Sequence, residues 1–365
     1  MTALAKSFRH CEPLADAPLF GHLGNMSGDA SLLYIIGSGD DADLVQQVEG
    51  KLIVTGTSDL TKLLLDRVPH HRLHVGRNYF RQGRQADVTG YRTIVNLITE
   101  AEQNVKVLEN LRKLLRGVPG RVINKPEAVL RSTRDQVSRT LSGIAGLIVP
   151  KAVRLDGRKA GIAARTLDKA GIVPPVILRQ TGTHAGRIVG LFDKVDELVA
   201  ALTPGEHIAT QFVDFASADG LFRKYRVYFI GQRRILRHMV VSDNWNVHVR
   251  ERTRYMAQHP DLVAEERALF DSDSPFSPAV NAVFDEIRAR MPLDFFGMDF
   301  GITPSGDVVL FEANATMNFF PLWPTQDEQF VYLTKCLDPA QAAFRELLGL
   351  PPEVPHLAKV QLAAL

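Results

Sequence analysis

Short apolar runs broken by turn-forming residues mark the first third of the chain. Leu32-Leu-Tyr-Ile-Ile36 is continuously apolar and opens into Gly37-Ser-Gly-Asp-Asp41. Such a run predicts a parallel strand buried on both faces and followed by a glycine loop. That loop either cradles a ligand or is an ordinary strand-to-helix turn. Residues 42–48 read as helical, Leu52-Ile-Val54 as a second strand, and Ile94-Val95 as part of a third. Val105, Leu108, Leu111 and Leu115 recur at helical spacing and close on Gly117 and Pro119. Residues 1–120 are therefore expected to form a small α/β domain.

A second unit, 121–205, begins at Arg121-Val-Ile-Asn-Lys-Pro126. Ser132-Thr-Arg-Asp135 reads as a capping box for a helix ending near Ile144, and Gly146-Leu-Ile-Val-Pro150 leads into a strand. Pro174-Pro-Val-Ile-Leu-Arg-Gln180 predicts a strand carrying Arg179. It runs into the glycine loop Thr181-Gly182-Thr183-His184-Ala185-Gly186, and a helix follows from about Lys194. A cation on a strand before a glycine loop can close over phosphates through backbone N–H groups. The same pattern also fits a plain hairpin loop with a solvated arginine.

The third unit, 206–350, opens strand-rich with Gln211-Phe212-Val213-Asp214 and Leu221–Ile230. If Gly231-Gln232 is a two-residue turn, Arg226 faces Arg237 across the ladder. Like charges directly opposite are unfavourable, so either an anion such as a triphosphate lies between them or both splay into water. Asn246-Val-His248 follows, with Arg250 and Arg252 close behind; taken alone, His248 reads as a structural or surface histidine. Ser277-Pro278 begins a helix with core positions Val280, Val283, Phe284, Ile287 and Met291. A last helix carries Phe344, Leu347 and Leu348, and residues 351–365 form a Pro-rich tail.

The chain is organised around Phe296–Ala315, where two apolar runs flank Pro304-Ser-Gly-Asp307 and predict a β-hairpin. With Ser305-Gly306 at the tip, Asp299 lies opposite Glu312, Cβ atoms about 4.5–5.5 Å apart. Asn314 projects from the same face as Glu312, because strand side chains alternate. Its partner is Gly297, which leaves space beside it. Facing carboxylates call for something positive between them, and two carboxylates with an amide oxygen suit Mg²⁺. The alternative is a solvent-facing hairpin with a chance Glu-x-Asn.

Composition narrows the class. The 365 residues suffice for two or three domains, and 45% hydrophobic with 23% charged content is that of a soluble globular protein. A net charge of +2 gives no call for nucleic acid or membrane. Cys11 and Cys336 form no metal or redox motif, the N-terminus lacks a signal-peptide apolar core, and no run reaches membrane-span length. A cytoplasmic location is expected, and the possibility of a homo-oligomer is left open.

Four segments, in this order, resemble the ATP-grasp superfamily, especially its ribosomal-protein glutamate ligase and glutathione synthetase branches. They are Asn124-Lys-Pro-Glu-Ala128 with Arg134-Asp135 and Val149-Pro150; Val176–Arg179 with Gly182 to Gly186; Tyr225–Gly231; and Asp299 with Glu312-Ala-Asn314. The resemblance spans residues 124–321. It implies an α/β fold in which two ATP-grasp subdomains grip ATP behind a small parallel-sheet domain that helps hold a carboxylate substrate. It further implies that Asp299, Glu312 and Asn314 bind Mg²⁺ (or Mn²⁺), that Arg179 and Arg226 contact phosphate, and that Thr181–Gly186 covers it. Gln211, Phe212 and Val213 would form the hinge against adenine, and Asn246 and His248 would lie near the reacting centre. Arg179 stands where the family usually has Lys. Gln136 replaces a second Lys, a charge that Arg134 or Arg139 would have to supply. The implied activity is ATP-dependent ligation of a small carboxylate to an amine, amino acid or peptide, through an acyl phosphate. The rivals are a small-molecule kinase and a non-catalytic nucleotide-binding module. Arg237, Arg250 and Arg252 are candidates for an anionic group on one substrate.

Overall fold

The computed structural model describes residues 31–37, 45–48, 51–54, 58–64, 68–76, 79–81, 85–180, 187–322 and 327–352. The glycine loop Thr181–Gly186, most of the Gly37–Asp41 turn and the tail beyond 352 lie outside them.

The first unit contains β1 (Leu32–Gly37), β2 (Val45–Val48), β3 (Lys51–Val54), β4 (His71–Val75), β5 (Thr93–Asn96), α1 (Val105–Leu114) and β6 (Arg121–Ile123). Four of these strands make a parallel sheet in the order β4-β1-β5-β6. The β1 run is buried, as its continuous apolarity requires. Two expectations fail here. Val45–Val48 is a strand, not a helix, because β3 pairs with it antiparallel and supplies its backbone partners. The sheet also does not end at residue 120, since β6 completes it. Within α1 the buried stripe is Val107, Leu108 and Leu111, and Val105 is exposed.

The second unit comprises α2 (Pro126–Leu130), α3 (Arg134–Leu141), β7 (Leu147–Ile148), β8 (Ala152–Asp156), α4 (Ala163–Lys169), β9 (Val176–Gln180), β10 (Arg187–Phe192), α5 (Val195–Ala200) and β11 (Glu206–Gln211). Strands β8 to β11 form an antiparallel sheet, β10-β9-β11-β8. This sheet therefore runs past residue 205 to Gln211, because β11 is its inner strand. Thr133, not Ser132, precedes α3; the Ser132 hydroxyl instead donates to Val129 O at 2.7 Å.

The third unit holds β12 (Phe222–Ile230), β13 (Arg233–Ser242), α6 (Glu251–Arg254), α7 (Pro260–Asp271), α8 (Pro278–Arg290), β14 (Phe295–Ile302), β15 (Val308–Asn314) and α9 (Leu337–Leu348). Its sheet runs β13-β12-β14-β15-β7, with β7 crossing over from the second unit. Ser277 caps α8 by accepting from Val280 N, and Val280, Val283, Phe284 and Ile287 are buried on one face.

The molecule is thus α/β, a parallel sheet followed by an antiparallel sheet and by a five-stranded sheet that is antiparallel except where β7 joins β15 in parallel. One apolar core, including Leu33, Ile94, Phe229, Phe296 and Phe344, is continuous from the parallel sheet into the five-stranded sheet. The β8–β11 sheet has a separate core around Leu155, Leu167, Leu178 and Leu198. Burying one such Leu or Phe side chain contributes roughly 1.5–3 kcal/mol.

Candidate functional site

The β14–β15 hairpin puts Asp299 opposite Glu312 and Gly297 opposite Asn314. The three polar side chains therefore lie on one face, but by a different route from the one expected. The turn runs Thr303 to Asp307, with Thr303 N donating to Asp307 O and Gly306 at φ +91°. Beyond it Phe300 pairs with Leu310, one residue out of the expected register. A bulge at Phe311 restores that register before Glu312. The space beside Asn314 is not open either. A Cβ on Gly297 would meet Met317 at 2.7 Å, so the glycine admits the methionine side chain.

β12 pairs with β14 on the other side and sets Arg226 opposite Asp299. The guanidinium grips the carboxylate through both oxygens, Nε at 2.6 Å and Nη2 at 2.9 Å. Lys224, two residues back and hence on the same face, adds Nζ at 3.5 Å. Burial pushes the Asp299 carboxyl up, but Arg226 and Lys224 outweigh it and hold the group at about 2. Glu312 pairs with Arg134 of α3 at 2.8 Å. Arg179 enters from β9, where burial and the field of Arg134 lower its pKa against the opposing pull of Glu312 and Asp299. No hydrogen bond or ion pair to a described residue satisfies its guanidinium.

Cations from α3, β9 and β12 thus surround two carboxylates. Arg134, two residues before Gln136, is one of those cations. The Gln136 amide, in the orientation that meets its partners, turns to Leu130 O, Arg131 O and Thr133 Oγ1, while Arg139 is exposed. Asn314 Oδ1 accepts from Thr316 N at 3.0 Å and Met317 N at 2.8 Å. The donor set, two carboxylates and an amide oxygen, fits a hard divalent cation in chemistry. Arginines neutralise both carboxylates, so such an ion would share or displace them.

The arginine pair expected across the next ladder does not form. A bulge between Arg226 and Val227 sets Arg226 against His238. Arg237 is instead buried, with Nε on Phe319 O and Nη2 on Pro321 O, both at 2.7 Å, and its charge over the Phe319 ring. It therefore holds the loop after β15 rather than an incoming anion. Arg252 is likewise spent in a buried pair with Glu266. Arg250 is exposed, and its backbone N–H bonds His248 Nδ1 at 3.3 Å.

Gln211, Phe212 and Val213 lie where β11 leaves the four-stranded sheet toward β12, a hinge position by topology. Phe212 N donates to Pro175 O, and its ring meets Trp245 edge-on at 5.8 Å. Asn246 and His248 are exposed. His248 is held below its usual pKa by partial burial and then by Lys224 and Arg250. Three contributors escaped the sequence reading. Lys224 was legible, as it shares a strand face with Arg226. His238, fully buried and kept neutral by burial and by Arg226 and Arg237, needed the bulge. Asp59, from the first unit, accepts from Phe319 N and Phe320 N at 2.8 Å; burial raises its pKa against those bonds.

No protein-family model matches the chain, and no curated protein does. Solved structures similar to it include the VanG D-Ala:D-Ser ligase of Enterococcus faecalis, at 12% identity and TM-score 0.47, covering 88% of this chain and 99% of that one. A RimK-domain ATP-grasp protein of Sphaerobacter thermophilus gives 13% and 0.45, covering 87% and 99%. A RiPP-associated ATP-grasp ligase of Chryseobacterium gregarium, in complex with ADP and a leader and core peptide, gives 12% and 0.45, covering 84% and 96%. The fold described above rests on this chain's own strand order and register. Among the described residues no helix is long and apolar enough to cross a membrane.

Proposed function

We propose that this protein is an ATP-dependent carboxylate–amine ligase of the ATP-grasp type. The observation that carries the reading is the face of the β12–β14–β15 sheet, where Asp299 and Glu312 meet amid Arg226, Lys224, Arg134 and Arg179. A triphosphate is the natural counter-charge for such a set, because Arg179 brings positive charge that no described carboxylate takes up in an ion pair. Asp299, Glu312 and Asn314 would hold Mg²⁺, with Mn²⁺ as the alternative; when bound, the ion offsets charge on phosphate oxygens.

In the proposed reaction an oxygen of the substrate carboxylate bonds to the γ-phosphorus as the bond to the ADP oxygen breaks. The amine nitrogen then attacks the acyl carbon, phosphate departs, and the amine gives up a proton. Arg179, Arg226 and Lys224 stabilise the oxygens on which charge gathers. The Thr181–Gly186 loop, on the strand that carries Arg179, would exclude water from the acyl phosphate. Asn246 and His248 would face the substrates. The partners would be a small carboxylate and an amine, each an amino acid or peptide.

The test is ADP release screened against amino acids and short peptides, with mass spectrometry of the products. A product one water lighter than its two parts is expected. A product carrying phosphate and no new amide would make the protein a kinase on the same scaffold, and no turnover with any carboxylate would leave only a nucleotide binder.

A further inference from the structure

A second concave surface lies away from this face, where the first unit joins the third. A cleft of about 990 Å³ opens between the C-terminal end of α1, β6, α2 and the approach to β14. Its walls carry Arg112, Arg116, Arg121, Lys125 and Arg131 against only two carboxylates, Glu127 and Asp294. Arg112, Arg116, Lys125 and Arg131 are exposed, and none is within ion-pair distance of a carboxylate among the described residues. Arg121 spends one Nη on Leu347 O, and Asp294 accepts from Asn124 N. Elsewhere the chain holds single arginines between two of its own acids, as Arg154 with Glu102 and Asp135, or Arg223 with Asp219 and Glu265. Here it does not.

We propose that this cleft binds an acidic peptide segment. The cations stand on separate walls, Arg112 in the last turn of α1 with Arg116 just past its end, and Lys125 and Arg131 flanking α2, so they suit charges spaced along a chain rather than one small anion. Val118, half-buried between them, offers apolar surface for an intervening side chain. The volume is at the upper end of what ligand clefts enclose, roughly 300–1,000 Å³. Nucleic acid fits less well. No aromatic side chain lines the cleft for base stacking. Binding here does not depend on the ligase reading.

The experiment uses the full chain without ATP and reads fluorescence anisotropy of a short labelled peptide rich in Glu and Leu, beside the same peptide with Gln for Glu. The acidic peptide should bind at least about tenfold more tightly, and added salt should weaken it. Two paired variants, Arg112→Ser with Arg116→Ser on one wall and Lys125→Ser with Arg131→Ser on the other, should each lose about tenfold or more. Thermal unfolding checks that each is folded, and the pairs occupy different elements, so failure of one to fold leaves the other as the test. Equal binding of both peptides, or wild-type binding by a folded pair, overturns the proposal. So does displacement by inorganic phosphate at concentrations where sodium chloride has no effect, which would mark a single-anion site. Displacement by oligo-uridine more readily than by unlabelled peptide would assign the cleft to nucleic acid.

Discussion

The Arg252–Glu266 pair and the candidate site both match arginine with carboxylate, and they differ in what surrounds the match. Arg252 and Glu266 are 1% and 0% exposed. Glu266 also accepts from Met239 N at 2.8 Å and Tyr332 Oη at 2.6 Å, and the guanidinium lies over Phe330. Only Arg252 Nε is left without a partner. At the candidate site Asp299 is as well gripped, but Glu312 and Arg134 are 39% and 31% exposed, two carboxylates share a face, and Arg179 remains to be neutralised. The first place is closed and complete. The second leaves the Glu312–Arg134 pair open to solvent and Arg179 without an ion pair among the described residues. The same pairing chemistry serves rigidity in one and readiness in the other, and the surroundings decide which.

The comparison breaks most sharply at Glu266. Glu266→Gln strands a buried guanidinium and should cost about 3–5 kcal/mol, read by denaturant unfolding; wild-type stability would mean the pair is not what closes that region. At the other place Glu312→Gln should cut ATP turnover at least about a hundredfold, equivalent to about 2.7 kcal/mol in the barrier. Its pair is partly exposed and worth only about 0–1 kcal/mol, so melting should shift by a few degrees at most. Turnover that survives would remove Glu312 from the site.

Acid sharpens the contrast further. The Asp299 pKa lies below its ordinary value, so its pairing stabilises the fold above about pH 4 and is lost as pH falls toward 2. The loss is about 2 kcal/mol, measured as the stability difference between wild type and Asp299→Asn across that window. The smallest effect is expected at Lys224, the outermost member of the set. Lys224→Gln should weaken ATP binding by about tenfold, more at low salt than at high, leaving stability nearly unchanged; calorimetric titration at two ionic strengths would check it.

Much of this was readable in the residues, and the rest failed for local reasons. Apolar runs and turn formers gave β1, β9, β12 and the β14–β15 hairpin, because burial and turn chemistry act within a few residues. Bulges left no such mark. Nothing in Phe311 or in Arg237 announces an extra residue, yet one bulge rescued the Asp299–Glu312 alignment and the other separated Arg226 from Arg237. The pairing of β12 with β14, which joins Arg226 to Asp299 over a long stretch of sequence, is a tertiary choice that periodicity does not encode. Val-Gln-Gln-Val read as helix because its apolar ends also fit helical spacing, and only the neighbouring strand decided otherwise.

Asn124, fully buried at φ +49°, is the described non-glycine residue with positive φ. Its side chain accepts from Asp294 N and Phe295 N and donates to Phe295 O, while its carbonyl accepts from Asn96. One residue thereby clasps the last strand of the parallel sheet to the first turn of the strand bearing Asp299, across a core with no seam. These two bodies make a single chassis. The β8–β11 sheet, which carries Arg179, keeps a private core and stands outside that frame.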